Sequence, residues 1–378
     1  MNGEPREMNA PRLHFPTGKR TVPWRETTLD FVGVFMAFPK AAILPWLLFC
    51  VLVCQQPMSA WGNAGHEAVA YIAWQQLQPN TKTRVLALLM LVPELQNPAK
   101  TKSIPGYADW VQDLPSGLSQ DQQNLYLFMR AATWADTIKH EWLMDSDTPP
   151  PNITTDVNIG YSDTQSHGYW HFIDTAFASD NTPPPATPVP NAATQIVALR
   201  AAIQSSEDDL LKSYDLIWLE HLVGDIHQPL HGSVRYYAGV GDAGGNTVPV
   251  TLPAAMKKQF EGTLSKSAPT ELHAFWDDLP GEGQPAPALP LAATFAAALA
   301  AAQPGVSDTD PADWAAESLK LAEKDAYKMP PIGKSPKPAS GSGYAISQAY
   351  YNRALKDAKN RIALAGARLA KLLNENLQ

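Results

Sequence analysis

Cysteine is nearly absent: the 378 residues contain two. Both, Cys50 and Cys54, lie in one apolar run near the N-terminus, so residues 61–378 cannot form a disulfide. A disulfide-stapled scaffold is thereby excluded for that stretch. Long hydrophobic runs are also lacking. The uncharged apolar stretch at 41–54 falls short of the roughly 20 residues that span a bilayer. Basic excess is missing too. Of 29 Lys and Arg, six lie in residues 1–60; of 37 Asp and Glu, four do, which leaves 23 against 33. That balance argues against a broad basic face for gripping duplex nucleic acid. It leaves room for a small anionic substrate held at bound cations, which can be the largest local charges in a site. Strand signals are few, and no internal repeat is present.

The apolar run has a signal-peptide layout. Lys40 precedes it, and Gln-Gln-Pro-Met-Ser-Ala follows, ending on small residues at 59 and 60. The reading is an upstream extension of no structural use at 1–35, a signal peptide at 36–60 starting from Met36, and one catalytic domain at 61–378. Secretion or periplasmic export follows, with cleavage after Ala60. The alternative is a membrane anchor carrying an N-terminal tail.

The rest reads as all-α, a single mostly helical domain. Apolar residues recur at helical spacing over 66–91 and 192–231, where Leu210, Leu211, Tyr214, Ile217, Trp218 and Leu222 form a stripe. A final long helix is expected over 345–376, with Arg353, Lys356, Lys359 and Arg361 on its polar side. Segment 233–252 is the one place for a short hairpin, around Gly239–Gly245. Proline-rich stretches at 148–151, 182–190, 280–290 and 329–338 read as loops. Alanine-rich 286–302 is a helix or a spacer.

The chemistry concentrates in His221-Leu-Val-Gly-Asp225-Ile-His227-Gln-Pro-Leu-His231. His221 and Asp225 are four apart, which puts them on one helix face within reach of one ion. A second such pair is His273 and Asp277. Imidazole and carboxylate suit a borderline divalent ion, with zinc the default. Asp136 and His171 are further candidates. Cleavage after Ala60 would give Trp61 a free amine that, with its carbonyl and nearby His66, could chelate a metal. The candidate ligands are then Trp61, His66, Asp136, His171, His221, Asp225, His231, His273 and Asp277. They suffice for three sites if one aspartate bridges.

Trp61-Gly-Asn-Ala-Gly-His66, Trp134-Ala-Asp136, His171-Phe-Ile-Asp174, the 221–231 segment, Gly244-Gly-Asn246 and Leu272-His-x3-Asp277 together resemble the S1/P1 nuclease family. The C-terminal Ala-Gly-Ala-Arg-Leu-Ala-Lys-Leu-Leu-Asn fits as well. The resemblance implies an all-α fold shared with bacterial zinc phospholipase C and a cofactor of three Zn2+ ions. It implies cleavage of single-stranded DNA and RNA to 5′-mononucleotides and dephosphorylation of 3′-nucleotides. One zinc would take Asp136, His171, His221 and Asp225; a second His231, His273 and Asp277; a third the Trp61 amine and carbonyl, His66 and the bridging Asp225. Asp136 and Lys139 would be catalytic. Phe172, Asp174, Gly244 and Asn246 would form the nucleobase pocket. Neither a stable membrane association after cleavage nor an obligate protein partner is implied. The missing disulfides and the proline-rich insertions depart from the family pattern.

Two other readings compete. Phospholipase C on the same scaffold would use an aromatic and carboxylate cage for a choline-type headgroup. A non-catalytic, metal-stabilised binding protein has no use for Lys139. His227, two residues from Asp225, points off the ligand face and reads as packing or support. His140 and His167 read as ordinary histidines, and Asn152-Ile-Thr154 matches a glycosylation sequon.

Overall fold

A computed structural model describes residues 61–96, 103–139, 160–162, 165–178, 180, 182–205, 207–261, 267–281, 306–328 and 343–377. The signal segment, His140, the 152–154 sequon, the 286–302 stretch and the proline-rich loops at 148–151 and 329–338 lie outside those residues.

The fold is mostly helical. In chain order come α1 (Asn63–Gln76), α2 (Pro79–Leu89), α3 (Tyr107–Gln112), α4 (Gln120–Ala131), α5 (Trp134–Ile138), β1 (Ala176–Ala178), α6 (Ala192–Gln204), α7 (Asp209–Asp225), β2 (Val234–Tyr237), β3 (Val240–Gly241), β4 (Val250–Thr251), α8 (Ala254–Gln259), α9 (Leu272–Asp277), α10 (Pro311–Leu321), β5 (Tyr344–Ala345) and α11 (Gln348–Asn376).

The apolar period over 66–91 resolves into two helices. Pro79 opens α2 at its first position, which α1 could not have accommodated internally. Asn374 clasps the break: its Oδ1 accepts from Gln78 N at 2.8 Å and its Nδ2 donates to Gln76 O at 3.0 Å. The 192–231 stretch likewise divides. Asn191 caps α6, and Asp208 caps α7 by accepting from the amides of Leu210 and Leu211. Tyr214, Ile217, Trp218 and Leu222 are buried as the stripe requires, whereas Leu210 in the first turn of α7 is exposed.

Helices α1 and α7 are buried on nearly every side and form the centre of the core. The long α11 packs across α1. Gly366 permits that approach, since a Cβ there would lie 2.4 Å from Ile72 Cγ2. Arg361 departs from expectation. It lies buried rather than on the polar side of α11, with its guanidinium donating to Glu317 and Ser318. Helical spacing alone could not show that α10 covers that face.

The hairpin forms, with a tight turn at Ala238 and Gly239, both at positive φ (51° and 75°), as a two-residue hairpin turn demands. Strand β1 joins β2 in parallel, pairing Ala176 with Val234. A second small sheet pairs β4 with β5. Among the described residues no helix is long and apolar enough to cross a membrane.

One packing detail makes stability depend on pH. Burial, then Asp325, pushes the Asp357 carboxyl up to about 6 from the usual 3.8. The folded chain therefore keeps a proton that the unfolded chain releases near pH 4, and stability falls as pH rises through about 4 to 6. Asp357→Asn is expected to leave the melting temperature unchanged at pH 4 and to raise it by about 2 °C at pH 8, the partial exposure limiting the gain. Thermal scans of both proteins at the two pH values test this; equal shifts at both would refute it.

Candidate metal centre

Each local element presents a donor for a local reason. In α7, four-residue spacing stacks His221 over Asp225, both fully buried. In α9 the same spacing sets His273 and Asp277 together. Asp136 lies in the single turn of α5, with Lys139 just past its end. His66 projects from α1. His171 follows the short turn Gly168–Trp170, and His231 ends the irregular segment after α7.

The structure brings eight of the nine candidate ligands into three groups, the first two sharing His221: His66, Asp136 and His221; His171, His221 and Asp225; His231, His273 and Asp277. Within each group the donor atoms lie within 4.8 Å of one another. Asp225 is central. Its Oδ2 is 3.0 Å from His171 Nδ1 and 3.2 Å from His221 Nε2, while its Oδ1 is 3.3 Å from His66 Nε2. Asp136 Oδ1 lies 3.6 Å from His221 Nε2 and 3.1 Å from Lys139 Nζ. In the third group His231 Nε2 and His273 Nε2 are 3.1 Å apart, and Asp277 Oδ2 is 3.3 Å from His273. Donors about 2.1 Å from one tetrahedral zinc ion would sit roughly 3.4 Å apart, so the groups fit that ion.

The imidazoles are oriented by backbone carbonyls. His221 Nδ1–H donates to Ala132 O at 2.7 Å, His231 Nδ1–H to His171 O at 2.7 Å, and His273 Nδ1–H to Gly244 O at 2.8 Å. Each bond fixes the tautomer and leaves Nε2 a lone pair aimed into the site, the usual arrangement around a metal. Facing lone pairs at 3.1 Å repel unless a cation lies between them. The same need shows in buried atoms with no hydrogen-bond partner, among them Oδ2 of Asp136 and Nε2 of His171.

Electrostatics agree for four of the five imidazoles; in His221 burial is outweighed by Asp225 and Asp136, which hold it above the usual imidazole range in the absence of a cation. Burial, then His221, holds His66 below the usual imidazole range, and burial, then Lys139, takes His171 down to about 3. Neutral imidazole is the form that ligates. Burial opposes ionisation of Asp225 and Asp136, yet His221 leads the groups that hold Asp225 well below the carboxylate range. Lys139, then His221, does the same for Asp136. Asp277 differs: burial pushes it up to about 8 against His273 and Gln228. A bound divalent cation would reverse that balance.

The ninth candidate, Trp61, is fully buried at the start of α1, and the next amide, Gly62 N, donates to Asp277 O at 2.9 Å. The chain before α1 thus runs alongside the ligand-bearing end of α9. Phe172 and Asp174 lie in a segment pinned to His231 by Ile173 N donating to its carbonyl at 2.6 Å. Gly244, at φ 60°, orients His273 through its carbonyl, and Asn246 Nδ2 donates to Ala243 O at 2.8 Å. Both segments are therefore fastened to ligands of the third group. His227 points away from the donors, donating from Nδ1 to Val223 O at 2.8 Å. His167 stacks on Trp170 with ring centroids 3.7 Å apart.

Sequence reasoning passed over Gln228 and Asp242. Gln228 Nε2 donates to Asp277 Oδ1 at 2.6 Å and so steadies a candidate ligand. Its place inside the 221–231 motif was the available signal. Buried Asp242 accepts from Arg235 N at 3.0 Å and from Tyr327 OH at 3.2 Å, bracing the loop that carries Gly244. No local pattern marks it.

This mostly helical fold converges buried histidines and aspartates into groups that could hold metal ions. A family model described as S1/P1 Nuclease matches residues 61–378. The chain belongs to the S1/P1 nuclease family. It is 28% identical to Nuclease S1 of Aspergillus oryzae over 259 residues, 65% of this chain and 63% of that protein, less than two thirds of its length. Two Arabidopsis thaliana proteins match more fully: Endonuclease 3 at 24% identity over 354 residues (87% of this chain, 94% of that protein) and Endonuclease 4 at 26% over 337 residues (83% and 88%).

Proposed function

We propose that this chain is an exported, zinc-dependent phosphodiesterase that hydrolyses single-stranded DNA and RNA to 5′-mononucleotides and removes 3′-phosphates, with residues 61–378 as the mature domain. The observation that supports the reading is the three groups of buried histidine and aspartate donors, in a chain of this family. One zinc would be held by Asp136, His171, His221 and Asp225, a second by His231, His273 and Asp277, and a third by Trp61, His66 and Asp225. When bound, closely spaced zinc ions supply hydroxide near neutral pH and positive charge for the phosphate.

The chain's own groups do the rest. Asp136, fixed by Lys139 at 3.1 Å, orients the attacking oxygen. Lys139, itself buried, faces a phosphate oxygen and offsets its charge. Phe172 stacks on a base, and Asp174 and Asn246 read its edge. The test is product analysis with single-stranded DNA, RNA, 3′-AMP and phosphatidylcholine in parallel. 5′-Mononucleotides from both polymers, adenosine from 3′-AMP and intact lipid are expected. Diacylglycerol with uncut nucleic acid would overturn the reading in favour of a phospholipase.

Export and metal loading are coupled in this proposal. A peptide-bonded nitrogen is a poor ligand at neutral pH, whereas an α-amine with a pKa near 8 gives up its proton to a metal. Protein starting at Trp61 is expected to hold three zinc ions, and protein with Met-Ala ahead of Trp61 to hold two and to turn over more slowly. Equal zinc content and turnover in the two would return Trp61 to the role of a buried aromatic.

A further inference from the structure

Helices α10 and α11 carry no candidate ligand, yet they grip the turn that joins two ligands. Asp225 ends α7 and His231 lies six residues later. Between them, the carbonyls of Ile226 and His227 have passed beyond the helix's own hydrogen-bond ladder. Ser318 Oγ donates to Ile226 O at 2.6 Å, and Arg361 Nε donates to His227 O at 3.1 Å. Arg368 Nη1 donates to His227 Nε2 at 2.9 Å. A guanidinium has no lone pair to offer, so Nε2 must accept and the proton stays on Nδ1, where it bonds Val223 O. Glu317 holds both arginines, accepting from Arg361 Nη1 at 2.8 Å and from Arg368 Nη1 and Nη2 at 2.7 and 2.8 Å. Trp314 lies under Arg368, 5.2 Å from its guanidinium carbon.

This cluster is a poor way to gain stability. Arg368 is fully buried and Arg361 nearly so, and desolvating two guanidiniums costs about as much as their partners return; apolar side chains would serve as well or better. The geometry they fix is what apolar side chains could not supply: two cations at the C-terminal end of α7, directional bonds to consecutive carbonyls, and a set tautomer on His227. We propose that Arg368, with Glu317 and Arg361, is a positioning residue that acts through His227 to hold the 226–230 turn, and so sets Asp225 and His231 at the separation the metal ions require. This inference rests on the metal reading above.

The test uses the full chain in four forms: wild type, Arg368→Lys, His227→Leu, and Leu125→Ala, a core truncation in α4 outside this network. Zinc affinity is measured by equilibrium dialysis, fold stability by the melting temperature of the zinc-stripped protein, and site geometry by the visible spectrum of the cobalt-substituted protein. Arg368→Lys and His227→Leu are expected to bind zinc about 10- to 100-fold more weakly, with an altered cobalt band. Leu125→Ala is expected to lower the melting temperature of the stripped protein while keeping wild-type affinity and spectrum. Should Arg368→Lys fail to fold, His227→Leu decides. The proposal is overturned if both network variants bind zinc as wild type does, or if affinity in all three variants simply follows lost stability. A wild type that binds no zinc would overturn the metal reading and this inference with it; wild-type binding with unaffected network variants overturns this inference alone.

Discussion

Asp225→Asn is expected to reduce turnover on single-stranded DNA by at least about a thousandfold, roughly 4 kcal/mol of transition-state stabilisation, and to cost the protein zinc. The reason is geometric. Asp225 sends one oxygen toward His171 and His221 and the other toward His66, so one carboxylate serves two of the proposed ions. An amide keeps the shape but offers one oxygen, and its NH2 would face imidazole nitrogens or a cation. Asp174→Asn is the contrasting case. Asp174 is half-buried, three residues from His171 and outside every donor group. Its loss should spare zinc content and change the relative rates on different bases, by about tenfold for a lost edge contact. Zinc analysis and turnover on four homopolymers separate the two. Should both variants keep full zinc and lose equal activity on every base, the division between ligand and pocket is wrong.

Chelation is expected to lower the melting temperature by more than about 10 °C, since an ion present at a thousand times its dissociation constant contributes about 4 kcal/mol to the folded state. Without cations, facing lone pairs of His231 and His273 and the unpartnered Oδ2 of Asp136 remain buried, a costly arrangement. No cysteine occurs among residues 61–378 to hold the chain in place of metal. Elemental analysis of the untreated protein should give close to three zinc ions per chain. A value near one, or a melting temperature indifferent to chelator, would sink the three-zinc proposal.

Much of this was legible in the chain because its physics is local. Four-residue spacing puts His221 over Asp225 and His273 near Asp277 in any helix, and the scarcity of strand signals fixed the class as mostly helical. Caps and prolines mark where helices start, and Pro79 and Asp208 divide stretches whose apolar period alone reads as continuous. The joint occurrence of several short motifs in order carried the family resemblance.

What the chain could not show is non-local. His66, Asp136, His171 and His231 come from four separate segments, and only tertiary packing brings each of them within reach of donors on α7 or α9. Which nitrogen each imidazole presents is decided by carbonyls far away in sequence: Ala132 for His221, His171 for His231, Gly244 for His273. Arg361 has the spacing of a solvated residue on α11, and α10 together with the turn after α7 made its face an interior. The sequence by itself offered the side chains that could ligate and set the two His-x3-Asp pairs on helices. The tertiary structure decided which of them meet, because convergence depends on helix packing and on hydrogen bonds between residues as many as 298 positions apart, for which a linear pattern has no term.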